Sequence, residues 1–170
     1  MSEITLSTAL ETYSSWKTNK RKDHHLQGFE KIFHQAFGEY YDTILKDKKI
    51  QESAYRSKKW DYSLYNNNEL EAVIELKTLH KSANKNINNR MEEAAGSAAL
   101  LRQSLKGVKS AYLIIGDTLD KRVELRWKLF LEDLRNSGSY DGVCGVFLSK
   151  DGTYHSPPGL AIEDLINSLT

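Results

Sequence analysis

Apolar residues recur at helical spacing in the N-terminal part of the chain. Positions three and four apart place such residues on one face of a helix, so this pattern predicts two amphipathic helices. The first stripe consists of Leu6, Leu10, Tyr13 and Trp16; the second consists of Leu26, Phe29, Phe33, Phe37 and Tyr40 or Tyr41. Asp23 precedes the second stripe and is of a residue type that caps helix N-termini.

The middle of the chain has the pattern of a β-hairpin. Residues 60–65 alternate between apolar and polar, as in a half-buried strand, and three asparagines follow at 66–68. Because asparagine tolerates left-handed backbone angles, this triplet predicts a tight turn. Residues 70–77 then form the returning strand.

Helices and strands alternate after the hairpin. Helical patterns cover about 89–105, 125–136 and 160–169, and short apolar runs typical of buried strands cover 111–116 and 143–148. The predicted order is therefore ααββαβαβα. That order indicates an α/β fold in which helices flank a mixed central sheet, with residues 1–170 forming one domain.

Composition narrows the classes of function only slightly. Lysine and arginine total 24 against 23 acidic residues, so the chain lacks the strongly basic balance of a non-specific nucleic-acid coat protein. The single cysteine, Cys144, lies in an apolar run and is expected to be a core residue. Because the sequence contains neither a long apolar run nor a signal peptide, we expect a soluble, cytoplasmic protein without a membrane partner.

The hairpin brings chemically useful residues together. Glu75 and Lys77 are two positions apart on one strand and therefore share a face, while Asp61 lies across the turn. Two carboxylates beside an ammonium group suit Mg²⁺, which activates water for phosphodiester hydrolysis. The alternative is that Asp61 is a surface residue and that Glu75 and Lys77 form a solvated strand face.

A polar segment with basic residues follows the hairpin and enters the next helix. Asparagine and arginine at a helix N-terminus can hold a phosphate or contact base edges, so we expect DNA contact here. The alternative is ordinary helix capping, with the small residues of 96–98 allowing close packing. The candidate DNA-binding residues are Lys81, Lys85, Asn86, Asn88, Asn89 and Arg90.

Segments 72–77 and 88–98 together resemble the core of XhoI-type restriction endonucleases. Those enzymes have the PD-(D/E)XK fold and cleave palindromic duplex DNA as homodimers with Mg²⁺. The resemblance implies metal binding by Asp61 and Glu75, a catalytic role for Lys77, and no small-molecule cofactor. The chain departs from the generic motif at Trp60, where the motif has proline.

Many enzymes of this fold add a carboxylate from an early helix to the catalytic centre. Glu30 is the candidate for that role because it adjoins the apolar stripe of Phe29 and Phe33, and Glu39 is the second choice. The alternative for Glu30 is a solvated glutamate on a helix surface, which is the usual position of this residue type.

The function predicted from these features is Mg²⁺-dependent, sequence-specific cleavage of double-stranded DNA by a homodimer. A nicking or structure-specific endonuclease, or one subunit of a heterodimeric restriction enzyme, is an alternative that the shortness of the chain favours. A third interpretation is a DNA-binding or regulatory protein that keeps this fold but does not cleave DNA.

Overall fold

A six-stranded mixed sheet forms the centre of the fold. The structure, a computed structural model, describes residues 27–79, 87–117, 120–149, 151 and 153–170. Four helices and six strands lie in these ranges: α1 (Gln27–Phe37), β1 (Thr43–Ser53), β2 (Arg56–Asn66), β3 (Glu69–Leu79), α2 (Ile87–Ser104), β4 (Lys109–Asp117), α3 (Lys121–Asn136), β5 (Gly142–Leu148), β6 (Tyr154–His155) and α4 (Ile162–Leu169).

The strands lie in the sheet in the order of the sequence. β1, β2 and β3 form an antiparallel meander, β3, β4 and β5 run parallel, and β6 returns antiparallel to β5. Asn67 and Asn68 have φ of 51° and 66° and form the turn between β2 and β3. These left-handed angles are the ones that a two-residue hairpin turn requires, so the predicted turn is confirmed.

Buried side chains form one hydrophobic cluster on each face of the sheet. On one face, Phe29, Phe33 and Phe37 of α1 and Leu165 of α4 pack against strand residues. On the other face, α2 and α3 contribute the apolar stripe that includes Leu101, Trp127 and Leu131. The described residues therefore form three layers, in which helices cover both faces of the sheet.

The predicted α/β class with a mixed sheet is confirmed, but the predicted element order is wrong because it omits two strands. β6 has only two residues, and β1 has the sequence TILKDKKIQES, in which one hydrophobic position, Ile50, is buried. β1 is an edge strand, and its three lysines and Asp47 are exposed, which discourages pairing with other chains. Such a strand lacks the apolar alternation by which strands are recognised in a sequence.

Several sequence predictions fall on particular parts of the fold. The helix predicted over Leu6 to Trp16 and its neighbour Asp23 lie outside the described residues. Cys144 is buried as predicted, and burial raises the pKa of its thiol well above the ordinary value. Within the described ranges, no helix is both long enough and apolar enough to cross a bilayer.

Candidate active site

β2 and β3 separate at Asp61. Their paired residues run from Asn66 and Glu69 to Tyr62 and Ile74, and the pairing ends there. Beyond this point, the backbone N–H of Leu76 donates a hydrogen bond of 2.7 Å to Asp61 Oδ2. The Asp61 carboxylate therefore takes the place of a strand partner for β3.

The face that β2 presents changes at the same residue. Trp60 packs in the cluster beneath α2 and α3, whereas Tyr62 packs in the cluster beneath α1. Residues two apart on a regular strand share a face, so β2 is irregular at Asp61. Asp47 of the neighbouring strand has a φ of 56°. Most L-residues rarely adopt this left-handed conformation, but aspartate tolerates it. This irregularity turns the Asp61 side chain toward β3.

Asp61 lies beside Glu75 and Lys77, because its carboxylate accepts a hydrogen bond from the backbone of Leu76, the residue between them. Burial raises the pKa of Asp61, and the hydrogen bond from the backbone of Leu76 opposes that rise. The negative charge of Glu75 raises the pKa of Asp61 further, and the positive charge of Lys77 lowers it. The structure therefore brings together the three residues that the spacing in the sequence selects.

Glu75 is buried and paired with two lysines. Lys77 Nζ contacts Glu75 Oε1, and Lys58 Nζ lies 2.9 Å from Glu75 Oε2. Ser97 Oγ of α2 accepts a hydrogen bond of 2.7 Å from Lys58, which also lies over the Trp60 ring, 4.4 Å from its centroid. Because burial of an unpaired carboxylate is costly, the two ammonium groups offset the cost of burying Glu75.

A half-open pocket of about 310 Å³ lies between these strands and α2. Four cations and two carboxylates line it, and this excess of positive charge makes the pocket attractive to an anion. The charged residues that line it are Arg56, Lys58, Lys77, Arg90, Glu75 and Glu93.

Glu30 does not line this pocket. It is on α1, whose apolar residues pack on the opposite face of the sheet from α2. Its carboxylate is 3.2 Å from Lys46 Nζ, in an ion pair with partly exposed side chains. Glu39, the second choice, is exposed just after α1 ends. The structure does not bring either glutamate into contact with the Glu75 carboxylate among the residues it describes.

Of the predicted DNA-binding residues that are described, Arg90 alone lines the pocket. Asn88 Oδ1 accepts a hydrogen bond of 2.8 Å from Arg126 on α3, so Asn88 links two helices. Asn89 is exposed on the first turn of α2. Lys81, Lys85 and Asn86 lie outside the described residues.

The residues present fit Mg²⁺ in the type and number of carboxylates. Among the described residues there is no group of three or more histidine, cysteine, aspartate or glutamate side chains that could hold a metal ion. Mg²⁺ is commonly bound by one or two carboxylates together with waters and substrate phosphates, and Asp61 and Glu75 supply such a pair. Glu75 would have to give up one lysine contact to bind an ion.

Sequence reasoning missed Arg56, Lys58 and Tyr112, all of which line the pocket. Arg56, Lys58 and Trp60 are two positions apart on β2, and this alternation was a usable signal once the strand was extended before Trp60. Tyr112 is opposite Glu75 in the parallel pair of β3 and β4. Its place in the site depends on that pairing, which the sequence pattern does not reveal.

Comparison with known proteins gives no match: no family model, no curated protein and no solved structure is similar to this chain. The likeness to XhoI-type restriction endonucleases stays a resemblance, carried by segments 72–77 and 88–98.

Proposed function

We propose that this protein is a Mg²⁺-dependent, sequence-specific endodeoxyribonuclease that hydrolyses phosphodiester bonds in duplex DNA and acts as a homodimer of the PD-(D/E)XK class. The observation that carries the proposal is the convergence of Asp61, Glu75 and Lys77 where β2 separates from β3. The pocket lined by cations beside them supports a substrate that carries negative charge.

In this mechanism Asp61 and Glu75 would hold the ion. When bound, Mg²⁺ would supply Lewis-acid chemistry, polarising the scissile phosphate and lowering the pKa of an attacking water. Lys77 is the cation assigned to contact the reacting phosphate, because its ammonium group contacts Glu75 and its side chain is partly exposed. When Lys77 leaves the Glu75 oxygen, its ammonium group can neutralise charge on the phosphoryl oxygens while water attacks phosphorus and the P–O bond to the leaving strand breaks. The water's proton passes to solvent, and the leaving oxygen takes up a proton from solvent.

Lys58 and Leu76 act as positioning groups in the same mechanism. Lys58 is tied to Ser97 and can keep its contact with Glu75 while Lys77 moves. The backbone N–H of Leu76 binds one oxygen of Asp61, which fixes the orientation of that carboxylate. Arg90, at the start of α2, faces the pocket and is assigned to a DNA phosphate.

A second candidate function is DNA binding without cleavage on the same fold. The observation that favours it is the engagement of both Glu75 oxygens by lysines, an arrangement that also suits a structural ion pair. In that case the pocket would bind the DNA backbone, and the carboxylates would only balance the charge of its walls.

Incubation of the purified protein with supercoiled plasmid and Mg²⁺ tests these functions. Conversion of the plasmid to discrete linear fragments is the expected result for a sequence-specific enzyme that cuts both strands. Accumulation of open circles alone would indicate a nicking or structure-specific enzyme, or a missing partner subunit. Retardation of intact plasmid would favour the second candidate and overturn the proposal of a nuclease.

A further inference from the structure

Arg56 is held in the pocket wall by a buried carboxylate behind it. Glu52 is 4 % exposed, and its Oε2 lies 3.0 Å from Arg56 Nε. The Trp60 indole N–H donates a hydrogen bond of 3.3 Å to the other Glu52 oxygen. Because the contact with Glu52 uses Nε, the two terminal nitrogen groups of the planar guanidinium remain available for an oxyanion.

Tyr112 contributes a buried hydroxyl to the same pocket. The residue is 1 % exposed, and its hydroxyl has no hydrogen-bond partner among the residues that the structure describes. The neighbouring Tyr140 hydroxyl, in contrast, donates a bond of 2.9 Å to the carbonyl of Ala94. Since most buried hydroxyls in proteins are paired, the Tyr112 hydroxyl calls for a partner that the described part of the chain does not supply.

The surroundings of Tyr112 indicate the chemistry of that partner. Tyr112 lines the pocket together with Arg56, Lys58 and Arg90. Glu75 and Glu93 also line this pocket, but with Lys77 its cations number four against two carboxylates. A hydroxyl donor in a pocket with this excess of cations is suited to a ligand that accepts several hydrogen bonds and carries negative charge. A phosphate group has these properties, and the two guanidinium groups match its geometry.

We propose that Arg56, Lys58, Arg90 and the Tyr112 hydroxyl form a phosphate subsite, which binds a second phosphate of the substrate strand next to the one at Asp61 and Glu75. The assignment of that phosphate to a DNA substrate rests on the proposed function. The phosphate is either an internal one of the backbone or one at a strand end, and both have the chemistry that these four residues recognise.

The test measures the affinity of the protein, with Ca²⁺ in place of Mg²⁺, for three competitors of a fluorescent duplex: a 5′-phosphorylated duplex, the same duplex with 5′-hydroxyl ends, and a closed circular duplex. Tyr112→Phe removes only the hydroxyl and is expected to weaken binding roughly two- to tenfold. Arg90→Ala is expected to weaken it roughly ten- to a hundredfold. If the variants bind all three competitors more weakly, the subsite holds an internal phosphate of the backbone. If they bind only the 5′-phosphorylated duplex more weakly, the subsite holds a phosphate at a strand end.

Matched variants separate the subsite from general effects of charge and packing. Lys59→Ala removes one charge from the neighbouring position of β2, where Lys59 pairs with Asp47, and Tyr62→Phe removes an unpartnered buried hydroxyl on the opposite face of the sheet. Both are expected to bind like wild type. Arg56 is replaced together with its partner, as Glu52→Gln with Arg56→Gln, so that no buried carboxylate is left unpaired.

The subsite and the nuclease proposal fail in different ways. If Tyr112→Phe and Arg90→Ala bind all three competitors as tightly as wild type, the subsite is wrong, whatever the protein does to DNA. If wild type fails to cleave DNA with Mg²⁺ while both variants still lose affinity, the nuclease proposal fails and the phosphate subsite stands. With both correct, the variants raise KM for cleavage more than they lower kcat.

Discussion

Replacing Glu75 with glutamine is expected to destabilise the fold, because two ammonium groups would then face a neutral side chain. Lys58 Nζ lies 2.9 Å from one Glu75 oxygen, and Lys77 contacts the other. At this distance and an effective dielectric constant of about 20, a single charge pair is worth about 6 kcal/mol before desolvation is subtracted. Glutamine keeps some hydrogen bonds, so the expected net loss in the free energy of unfolding is about 2–4 kcal/mol.

Urea denaturation followed by tryptophan fluorescence measures this loss, because Trp60 and Trp127 are both buried. Glu93→Gln is the matched control, since Glu93 is an exposed glutamate that lines the same pocket. The control is expected to change the free energy of unfolding by less than about 0.5 kcal/mol. Equal urea midpoints for Glu75→Gln and Glu93→Gln would refute the pairing of Glu75 with two lysines.

Three further predictions follow from the same site. Burial raises the pKa of Asp61 above its ordinary 3.8, so the folded state binds a proton at this carboxylate more tightly than the unfolded state does. The stability of the wild type therefore falls as pH rises from 3.8 through the raised pKa of the folded state. Asp61→Asn should therefore raise Tm at neutral pH without metal while abolishing cleavage, and an unchanged or lower Tm would count against a desolvated carboxylate. Arg90→Ala should weaken binding to specific and random duplexes alike and lower the salt slope by about one unit, measured by anisotropy at several salt concentrations; a loss at one base position would instead indicate guanine recognition. Ca²⁺ in place of Mg²⁺ should permit DNA retardation and stop turnover, and cleavage at an equal rate in Ca²⁺ would contradict the Mg²⁺ chemistry.

Local chemistry made much of the fold predictable. The asparagines at 66–68 fix the hairpin turn, since Asn67 and Asn68 adopt left-handed angles there. The turn sets which residues of β2 and β3 are opposite each other, and so the proximity of Asp61 and Glu75 could be expected. α2 was predicted over about 89–105 and spans Ile87–Ser104, because its good helix formers act within the segment itself.

The parts that could not be predicted depend on contacts between distant segments. Lys58 joins the site because it reaches both Glu75 on β3 and Ser97 on α2. Tyr112 joins it because β4 pairs in parallel with β3. Glu30 was chosen for its place beside an apolar helical stripe, but a stripe does not reveal which face of the sheet its helix covers.

The most direct test of the proposed nuclease is the single-turnover rate of duplex cleavage in saturating Mg²⁺ for wild type, Lys77→Ala and Lys59→Ala. Lys77 contacts Glu75, whereas Lys59 pairs with Asp47 outside the site. We expect wild type and Lys59→Ala to cleave at similar rates, and Lys77→Ala to be slower by roughly 10²–10³-fold. Absence of cleavage by wild type, or cleavage by Lys77→Ala at the wild-type rate, would contradict this active site.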